Sequence, residues 1–257
     1  MSEDNNQFVP QPKQNERIIS LEGACNVRDL GGYPTKEGRA IQWGRFYRGD
    51  GQHKLTERDQ ALLLGRGIHT VIDLRHAQEV SVAKDAFADS DNVAYHNVDL
   101  LNPATTNQPQ VNSLGQLYLS MLDNSQDAFL GIFEILANPS DEAVLFHCTA
   151  GKDRTGMVAA LLLDLAGVPH TIIIEDYAMT AECLLPIMDE LRAGRPEGMP
   201  ADLYEQFLGC DPSNMEMMLQ YLHAAYGGSE RYLAAIGLTE SQIIALKQKL
   251  LEALNNS

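Results

Sequence analysis

The sequence predicts an α/β fold in which a central, mostly parallel sheet is flanked by helices, with an additional C-terminal helical segment. Two observations predict this class. Short apolar runs typical of buried strands alternate with stretches of helical spacing, and beyond residue 165 the pattern is wholly helical. The 257 residues can bury one substantial core, so we expect a flexible tail at residues 1–17 and a single domain over 18–257.

Local signals place the elements of this fold along the chain. Residues 18–50 contain turn signals at Gly31-Gly32 and predict short strands joined by turns. Thr56–Leu64 predicts a helix, because a hydroxyl-bearing cap is followed by acidic residues and then by apolar ones. The other elements before the C-terminal part are predicted as strands at His69–Leu74, Val93–Leu100 and Ala143–Phe146, a polar loop at Asn102–Asn112, and helices at Leu114–Leu136 and Met157–Leu165.

Residues 180–235 form the least regular part of the chain. They hold a methionine-rich series of apolar residues that extends from Leu184 to Leu219. The first interpretation is that these residues pack extra helices onto the core. The second is a mobile helical lid over the functional site, because methionine-rich surfaces adapt to varied partners. A lid predicts that deletion of residues 195–212 alters the turnover of large substrates more than that of small ones.

The most informative segment is the run from His147 to Gly156, which lies between a predicted strand and a predicted helix. It places Cys148 six positions before Arg154 on a turn that contains glycine. Such a turn directs backbone N–H groups and a helix N-terminus at one oxyanion, and the arginine supplies a planar fork for two phosphate oxygens. We therefore expect a phosphate cradle with Cys148 as nucleophile. The predicted phosphate-binding residues are Thr149, Ala150, Gly151, Lys152, Arg154 and Thr155.

A catalytic cysteine must ionise, and the neighbours of Cys148 favour its thiolate. A free thiol has a pKa of roughly 8.5 and is mostly protonated at neutral pH. The first turn of the helix, Lys152, Arg154 and the hydroxyl of Thr155 each favour the charged sulfur. His147 leaves the end of a buried strand, and we expect it to orient the loop through hydrogen bonds.

Two other interpretations of this run explain less of it. An ordinary buried cysteine followed by an arginine at this distance arises by chance, but chance does not also supply the accompanying glycines, lysine and threonine. A Walker-type nucleotide loop is excluded by two residues. Phe146 stands where the first glycine belongs, and Asp153 stands where a serine or threonine should follow the lysine.

The run resembles the loop of the protein tyrosine phosphatase superfamily, and more narrowly that of a bacterial branch with the sequence His-Cys-x-Ala-Gly-Lys-Asp-Arg-Thr-Gly. Members of that branch are described as tyrosine or dual-specificity phosphatases, and several also accept phosphoinositides. The resemblance therefore implies a phosphatase domain that spans residues 20–254. Beyond the loop, the segments that resemble the family are Asn26–Tyr33, Trp43–Arg48, Ile68–Arg75, Asp176–Tyr177, Tyr226–Ser229 and Tyr232–Leu233.

Cleavage of a phosphate ester requires a proton for the leaving oxygen, and three aspartates are candidates to supply it. Asp153 lies inside the loop and ranks first. Asp73 ranks second, because in a parallel sheet its strand ends beside the loop. Asp99 ranks third, since it precedes the polar loop and resembles in position the movable acid loop of the superfamily, although no Trp-Pro-Asp tripeptide is present. The alternative for each is a carboxylate that holds Arg28, Arg75 or a loop amide in place.

The net charge of −16 weighs against binding to nucleic acid or to anionic membranes. An anionic substrate then requires a locally positive pocket, whose candidate residues are Arg28, Arg75, Lys152 and Arg154. Arg28 has a second interpretation, in which it pairs with the adjacent Asp29 on a turn. If Lys152 contacts a second phosphate, its replacement by alanine should penalise phosphoinositides more than phosphotyrosine, whereas a uniform loss would indicate that it tunes Cys148.

Several features are expected to be absent. Residues 1–16 lack the pattern of a signal peptide, and no apolar stretch approaches the roughly 18–20 residues that span a bilayer, so we expect cytoplasmic residence without stable membrane insertion. The four cysteines show neither metal spacing nor a disulfide framework. The seven histidines show no ligand spacing either, so no metal and no cofactor are predicted.

The sequence thus predicts a cysteine-dependent phosphate monoester hydrolase that acts through a thiophosphate intermediate and releases inorganic phosphate. The predicted catalytic residues are Cys148, Arg154, Asp153 and Asp73, and the predicted supporting residues are His147, Arg28, Arg75 and Asp99. A phosphotyrosine protein is the first predicted substrate. The alternatives are a phosphoinositide or inositol phosphate phosphatase, and a binding module for phosphorylated ligands that has lost turnover. A sulfur or arsenic transferase is a more remote alternative.

Overall fold

The computed structural model describes residues 17–101, 113–195 and 198–253, and within them the centre of the fold is a five-stranded sheet. The strands lie in the order β1-β2-β5-β3-β4, with β1 antiparallel to β2 and the other neighbouring pairs parallel. They are β1 (Arg28–Asp29), β2 (Phe46–Gly49), β3 (Ile68–Asp73), β4 (Ala94–Asn97) and β5 (Ala143–His147). The predicted fold class is confirmed, whereas the predicted loop at 102–112 and residues 1–16 of the predicted tail lie outside the described residues.

Strand β5 lies at the middle of the sheet and carries the His147–Gly156 run at its carboxyl end. His147 is in register with Gly49 of β2 and with Asp73 of β3, so the carboxyl ends of three strands meet there. Ligand sites of parallel α/β sheets form at this edge. The topology therefore brings the predicted loop and the predicted Asp73 to the same edge of the sheet.

Helices precede and follow this central loop. Those before it are α1 (Glu57–Gly65), α2 (Ala77–Val82), α3 (Leu114–Asn124) and α4 (Gln126–Leu136). Those after it are α5 (Asp153–Leu165), α6 (His170–Ala178), α7 (Thr180–Cys183), α8 (Met188–Ala193), α9 (Ala201–Leu208), α10 (Pro212–Tyr221), α11 (Ser229–Ala235) and α12 (Glu240–Leu250). A π-helical turn, Leu222–Tyr226, connects α10 to α11. Within the described ranges, no helix is long and apolar enough to cross a membrane.

Alternate residues of β5 face two separate apolar clusters. Val144 and Phe146 pack in the larger cluster, which includes buried residues of α3, α4, α5 and α10. Ala143 and Leu145 pack in the smaller one with Leu63 of α1. This alternation is the two-residue period of a strand that is covered on both faces. It explains why β5 appears in the sequence as an uninterrupted apolar run.

Two predicted elements differ from the structure. The strand predicted at Val93–Leu100 is shorter, because β3, its partner in the described sheet, ends at Asp73. Beyond that point Val98 N–H donates to the Asp73 carbonyl outside the regular ladder. The helix predicted at Leu114–Leu136 is divided at Ser125, whose φ of −114° and ψ of 28° are not helical. The change of direction lets α3 and α4 each bury an apolar face.

Residues 180–235 are predominantly helical, as predicted, but their two halves pack differently. Met215, Met218 and Leu219 of α10 are buried in the larger cluster, as the core-packing interpretation requires. Helices α8 and α9 contain no fully buried residue among those described. The core-packing interpretation therefore fits α10, whereas in the preceding segment core contact is limited to single residues such as Leu184, which is buried, and Phe207, which packs against the larger cluster.

Candidate active site

The run from His147 to Arg154 forms a tight turn between β5 and α5, and glycine is required at one position of that turn. Gly151 has a φ of +66°, and a Cβ atom there would lie 2.4 Å from the carbonyl oxygen of Gly49. A side chain would meet both a disfavoured backbone conformation and a steric clash with β2. Glycine at position 151 therefore allows both the positive φ and the close approach of the loop to the neighbouring strand.

Five consecutive carbonyl groups of the loop have partners outside the turn or at its start. Because the C=O and N–H of a peptide point in opposite directions, these contacts turn the N–H groups of the loop toward its concave side. The first turn of α5 adds further N–H groups that have no intrahelical partner. Together they form a site for an anion. The contacts are Leu74 N–H to His147 O at 2.8 Å, His147 Nδ1 to Cys148 O at 3.2 Å, Gly51 N–H to Thr149 O at 2.9 Å, Asn26 Nδ2 to Ala150 O at 2.8 Å and Arg48 Nη2 to Gly151 O at 2.7 Å.

Cys148 lies at the base of this cradle and is 3% exposed. Burial by itself raises the pKa of its thiol, because a thiolate loses hydration. The charge of Arg154 and the hydroxyl and backbone N–H of Thr155 outweigh burial, so the pKa of Cys148 lies below its ordinary value. Of the neighbours predicted to favour a thiolate, Arg154 and Thr155 act on this sulfur.

Arg154 is held by a carboxylate that the sequence analysis did not identify. Glu79 of α2 accepts hydrogen bonds from Arg154 Nη1 at 2.6 Å and from Nη2 at 2.9 Å. Glu79 also accepts a hydrogen bond from the Thr149 hydroxyl. Burial alone would raise the pKa of Glu79, but Arg154 lowers it to about 2, so the pair is ionic at neutral pH. A bidentate pair of this kind fixes the plane of the guanidinium.

A buried aspartate, Asp176 of α6, joins two arginines behind the loop. It accepts hydrogen bonds from Arg28 Nε at 3.0 Å, from Arg48 Nη1 at 2.6 Å and from the Tyr33 hydroxyl at 2.9 Å. Burial alone would raise the pKa of Asp176, but the two arginines hold it well below its usual range. Arg28 therefore neither lines an open pocket nor pairs with Asp29, because its guanidinium is fully buried against Asp176.

Asp73 and Arg75 form a second buried pair on the other side of the loop. Arg75 donates from Nε to Asp73 Oδ1 at 2.9 Å and from Nη2 to Oδ2 at 2.7 Å, and the Tyr95 hydroxyl donates to Oδ2 at 2.7 Å. Burial opposes ionisation of Asp73, yet the hydrogen bonds from Arg75 lower its pKa below the ordinary value. The Arg75 guanidinium is thus neutralised by Asp73 and does not line an open positive pocket.

His147 is fully buried beside this pair, and the structure places it behind the loop. Its Nδ1 contacts the Cys148 carbonyl, and its Nε2 lies 3.0 Å from Asp85 Oδ2. Burial by itself lowers the pKa of His147, but Asp85 raises it above the ordinary value. The contact with the Cys148 carbonyl is of the kind expected for a residue that orients the loop.

Asp153, the first residue of α5, differs from Asp73 in its exposure. Its side chain is 29% exposed, and its Oδ1 accepts a hydrogen bond from the Tyr118 hydroxyl. The Tyr118 hydroxyl in turn lies 2.9 Å from that of Tyr177.

Asp99 is exposed, and its Oδ1 accepts from the N–H of Leu101 at 2.9 Å, which is a local turn contact.

Lys152 was expected to contribute charge to the phosphate pocket, but its ammonium group is directed elsewhere. Its Nζ donates to the Phe207 carbonyl and to the Gly209 carbonyl, the latter at 2.9 Å, and lies 3.5 Å from Asp153 Oδ1. The residue is 2% exposed. Lys152 therefore ties the end of α9 to the loop, and of the four predicted cations only Arg154 remains in the cradle.

Sequence reasoning missed the roles of four residues: Asn26, Arg48, Glu79 and Asp176. Asn26, Arg48 and Asp176 lie in segments that resemble the phosphatase superfamily, but the resemblance gave them no individual role. Glu79 follows His76 by three residues, and the two form a reciprocal N-cap of α2 that marks a helix start. That signal locates the helix, but it carries no information that the same carboxylate reaches Arg154.

A cavity of about 580 Å³ opens beside the loop and meets it at Thr149. Ile18, Leu21 and Ile187 contribute apolar parts of its lining, and the ion pair between Lys54 and Glu190, at 2.6 Å, lies within the lining as well. The cavity thus combines an apolar surface with a charged one next to the phosphate cradle.

Comparisons with known proteins place the chain in a family. A model of the tyrosine phosphatase family matches residues 19–252. A tyrosine-protein phosphatase of Nostoc commune is 36% identical over 231 residues, which cover 86% of this chain and 79% of that protein. The triple specificity protein phosphatase PtpB of Mycobacterium tuberculosis is 26% identical over 282 residues, covering 91% of this chain and 99% of that protein.

Among solved structures, the core catalytic domain of the PP-IP phosphatase SIW14 from S. cerevisiae is similar over 80% of this chain and 98% of that chain. Its sequence identity is 15% and its TM-score is 0.37. The match of the family model over nearly the whole described domain, together with the relative from Nostoc commune, decides the assignment. The chain belongs to the tyrosine phosphatase family, and the predicted activity class, a cysteine-dependent phosphatase, is confirmed.

Proposed function

We propose that this phosphatase hydrolyses phosphate monoesters in two steps at Cys148. In the first step the thiolate attacks phosphorus, a sulfur–phosphorus bond forms, and the bond to the leaving oxygen breaks as Asp153 donates a proton to that oxygen. In the second step water attacks phosphorus, Asp153 takes its proton, and the sulfur–phosphorus bond breaks to release phosphate. The observation that carries this proposal is the lowered pKa of Cys148 beneath a loop whose carbonyls are bound outward.

The choice of Asp153 as general acid is supported by exposure and by hydrogen bonding. A general acid must be protonated in part at the working pH and must reach the leaving oxygen. Asp73 is fully buried, is bound by Arg75 on both oxygens, and has a lowered pKa. Asp153 lies next to the loop with a partly exposed side chain; its Oδ1 accepts from Tyr118 and lies 3.5 Å from Lys152 Nζ, while its Oδ2 makes no hydrogen bond to the described residues. We therefore assign Asp73 to positioning.

Arg154 is proposed to bind two phosphate oxygens while Glu79 holds its plane. A guanidinium has five N–H donors, and the bonds to Glu79 use only Nη1 and Nη2. The Nε–H group is therefore not bound to Glu79 and can donate to a phosphate oxygen. Charge that develops on the phosphate oxygens is then met by donors that need no rearrangement, which is the usual source of large rate effects. His147, Arg28 and Arg75 act indirectly, because each is buried behind the loop or beside it.

We propose phosphotyrosine in a protein or peptide as the substrate. The cavity at Thr149 offers apolar surface from Ile18, Leu21 and Ile187 next to the cradle, which suits an aromatic leaving group and the residues beside it. The similar proteins from Nostoc commune and Mycobacterium tuberculosis are named as a tyrosine-protein phosphatase and a triple specificity protein phosphatase, which supports this choice.

A ligand with several phosphates is the second candidate, and the placement of cations disfavours it. A polyanion requires unpaired positive groups around the first phosphate. Arg28, Arg75 and Lys152 are instead bound by Asp176, by Asp73 and by the carbonyls of Phe207 and Gly209. The described residues therefore contain no ring of free cations around the loop.

The test is phosphate release from a phosphotyrosine peptide, a phosphoserine peptide and a phosphoinositide, measured in parallel for the wild type and for Cys148→Ser. We expect turnover of phosphotyrosine to exceed that of the other two and to be lost in the variant. Preference for the lipid would replace the substrate proposal with the second candidate. Binding without release in the wild type would refute catalysis.

A further inference from the structure

Three side chains outside the loop converge on one point at the far end of α5. Asp164 Oδ1 lies 3.1 Å from His170 Nε2 and 2.9 Å from His223 Nε2. The two imidazole nitrogens are themselves 3.1 Å apart. The three residues come from different places, the end of α5, the start of α6 and the π-helical turn between α10 and α11.

Hydrogen bonds can join these three atoms, but each placement of the protons leaves one close contact unfavourable. If both Nε2 atoms carry protons, each donates to Asp164 Oδ1, and the two N–H groups are then crowded side by side with their nitrogens 3.1 Å apart. If one Nε2 is unprotonated, it can accept a hydrogen bond from the other Nε2 at 3.1 Å, but its lone pair then also faces the carboxylate oxygen at 3.1 Å or less. A cation bound by all three atoms would remove these unfavourable contacts, because each atom would then direct a lone pair at the cation.

The spacing of the three atoms fits a zinc ion. Four ligands at about 2.0–2.1 Å from tetrahedral zinc lie about 3.3–3.4 Å from one another. The triangle here has edges of 2.9, 3.1 and 3.1 Å, so small side-chain rotations would complete three of the four positions. Two imidazoles and one carboxylate favour zinc and neighbouring transition metals over magnesium or calcium, which prefer oxygen ligands.

The surroundings of the three residues are built to hold them in place. The second carboxylate oxygen of Asp164 accepts a hydrogen bond from Ser229 N–H at 2.9 Å, which leaves Oδ1 for the point of convergence. Gly228 has a φ of +100°, and a Cβ atom there would lie 3.1 Å from His223 Cε1. A side chain at this position would thus crowd the imidazole. The π-helical turn that carries His223 is a geometry often found at functional sites.

We infer that Asp164, His170 and His223 form a binding site for a divalent transition metal, with zinc as the best fit. The histidines are 32% and 42% exposed, so the fourth position is open to solvent. Asp164 lies eleven residues beyond Asp153 on α5, which at 1.5 Å per residue places the site about 16 Å from the phosphate cradle. The metal therefore takes no part in the reaction, and it cross-links α5, α6 and the π-helical turn.

The test measures zinc binding to protein that has been treated with chelator and freed of any affinity tag. Calorimetric titrations with Zn²⁺ and with Mg²⁺ use the Cys148→Ser background, so that the loop thiolate does not bind metal. The variants are His170→Gln and His223→Gln, which keep a hydrogen-bonding side chain but lose the imidazole ligand. His96→Ala is the matched control, because His96 is an exposed histidine outside the cluster. Unfolding temperatures with and without Zn²⁺ are measured for the same proteins and for the wild type.

We expect one Zn²⁺ per chain, no comparable binding of Mg²⁺, and a higher Tm in the presence of Zn²⁺. Each glutamine variant should weaken Zn²⁺ binding at least 100-fold and lose the rise in Tm, while His96→Ala retains both. Absence of stoichiometric Zn²⁺ binding would overturn the inference. So would binding that is unchanged in both glutamine variants, since the zinc would then lie elsewhere. Neither result depends on phosphatase turnover.

Discussion

Glu79 and Arg154 lie 75 positions apart in the sequence, yet Glu79 binds both Nη atoms of Arg154, at 2.6 and 2.9 Å. The structural consequence is that helix α2 sets the orientation of the arginine that we propose to hold the phosphate. A small misplacement of a group that contacts the transition state is costly, of the order of 100-fold for an error of about 1 Å. The orientation of Arg154 should therefore be visible in the kinetics.

We predict that Glu79→Gln lowers kcat/KM by about 10- to 100-fold, because the neutral amide holds the guanidinium less firmly. Steady-state kinetics with a phosphotyrosine peptide measures the effect. Glu134→Gln, an exposed position on α4, serves as the control and should have no effect. An unchanged kcat/KM in Glu79→Gln would show that Arg154 does not depend on this carboxylate.

The same replacement should change the response of stability to acid. Glu79 has a pKa of about 2 in the folded protein, against an ordinary value of 4.5, so its negative charge stabilises the fold at pH values above 4.5. That contribution is lost as pH falls from 4.5 toward 2. Between these limits the wild type should lose more stability than Glu79→Gln, as measured by urea unfolding. Parallel curves for the two proteins would contradict the pairing.

Thr155 gives a prediction for the ionisation of Cys148. Thr155→Val removes the hydroxyl that helps to lower the pKa of the thiol, and so the pKa should rise. The acid limb of the kcat/KM profile, and the pH dependence of alkylation of Cys148 by iodoacetamide, should both move to higher pH. Thr70→Val in β3 is the control, with no shift expected. If the acid limb of the kcat/KM profile is unchanged in Thr155→Val, or moves to lower pH, the hydroxyl does not stabilise the thiolate.

The assignment of the general acid predicts a dependence on the leaving group. Asp153→Asn should lower kcat/KM, which reports the steps up to departure of the leaving group, by about 10²- to 10⁴-fold for a phosphate ester with a poor leaving group, such as phosphoserine. The loss should be much smaller for p-nitrophenyl phosphate, whose leaving group needs no proton. Asp73→Asn should affect both substrates alike, because Asp73 is buried against Arg75. The opposite pattern would transfer the role to Asp73.

Asp176 gives a prediction about stability. Its removal leaves Arg28 and Arg48 buried without a counter-charge, and breaking a buried ion pair in this way costs about 3–5 kcal/mol. Asp176→Asn should lower the free energy of unfolding by that amount in urea titrations. Asp189→Asn, whose side chain is fully exposed, should change it by less than about 0.5 kcal/mol. Equal small effects would show that the two arginines find other partners.

The sequence predicts most backbone elements of this fold, but it does not predict the ion pairs. The loop is identifiable because its residues are consecutive, and the apolar runs around it give a strand and a helix by local periodicity. Thr56 marks the start of α1 because its cap is local as well. The break at Ser125 and the early end of β4 are set by packing and by the length of β3, which no local window contains.

The partners of the charged residues could not be predicted for a related reason. Arg28 pairs with a residue 148 positions away and not with its neighbour Asp29, and Lys152 binds carbonyls 55 and 57 positions away. Such contacts depend on which elements lie side by side, and periodicity does not specify that. The clustering of His170 and His223 was missed for the same reason, since the 53 positions between them hide any ligand spacing.

The central claim is that phosphate passes through a covalent bond to Cys148, and trapping of that intermediate tests it most directly. The wild type is mixed with a phosphotyrosine peptide, denatured during turnover, and analysed by intact and peptide mass spectrometry. We predict one phosphoryl group per chain on the peptide that contains Cys148, and none in Cys148→Ser. A phosphoryl group on another residue, or turnover that persists in Cys148→Ser, would contradict the account.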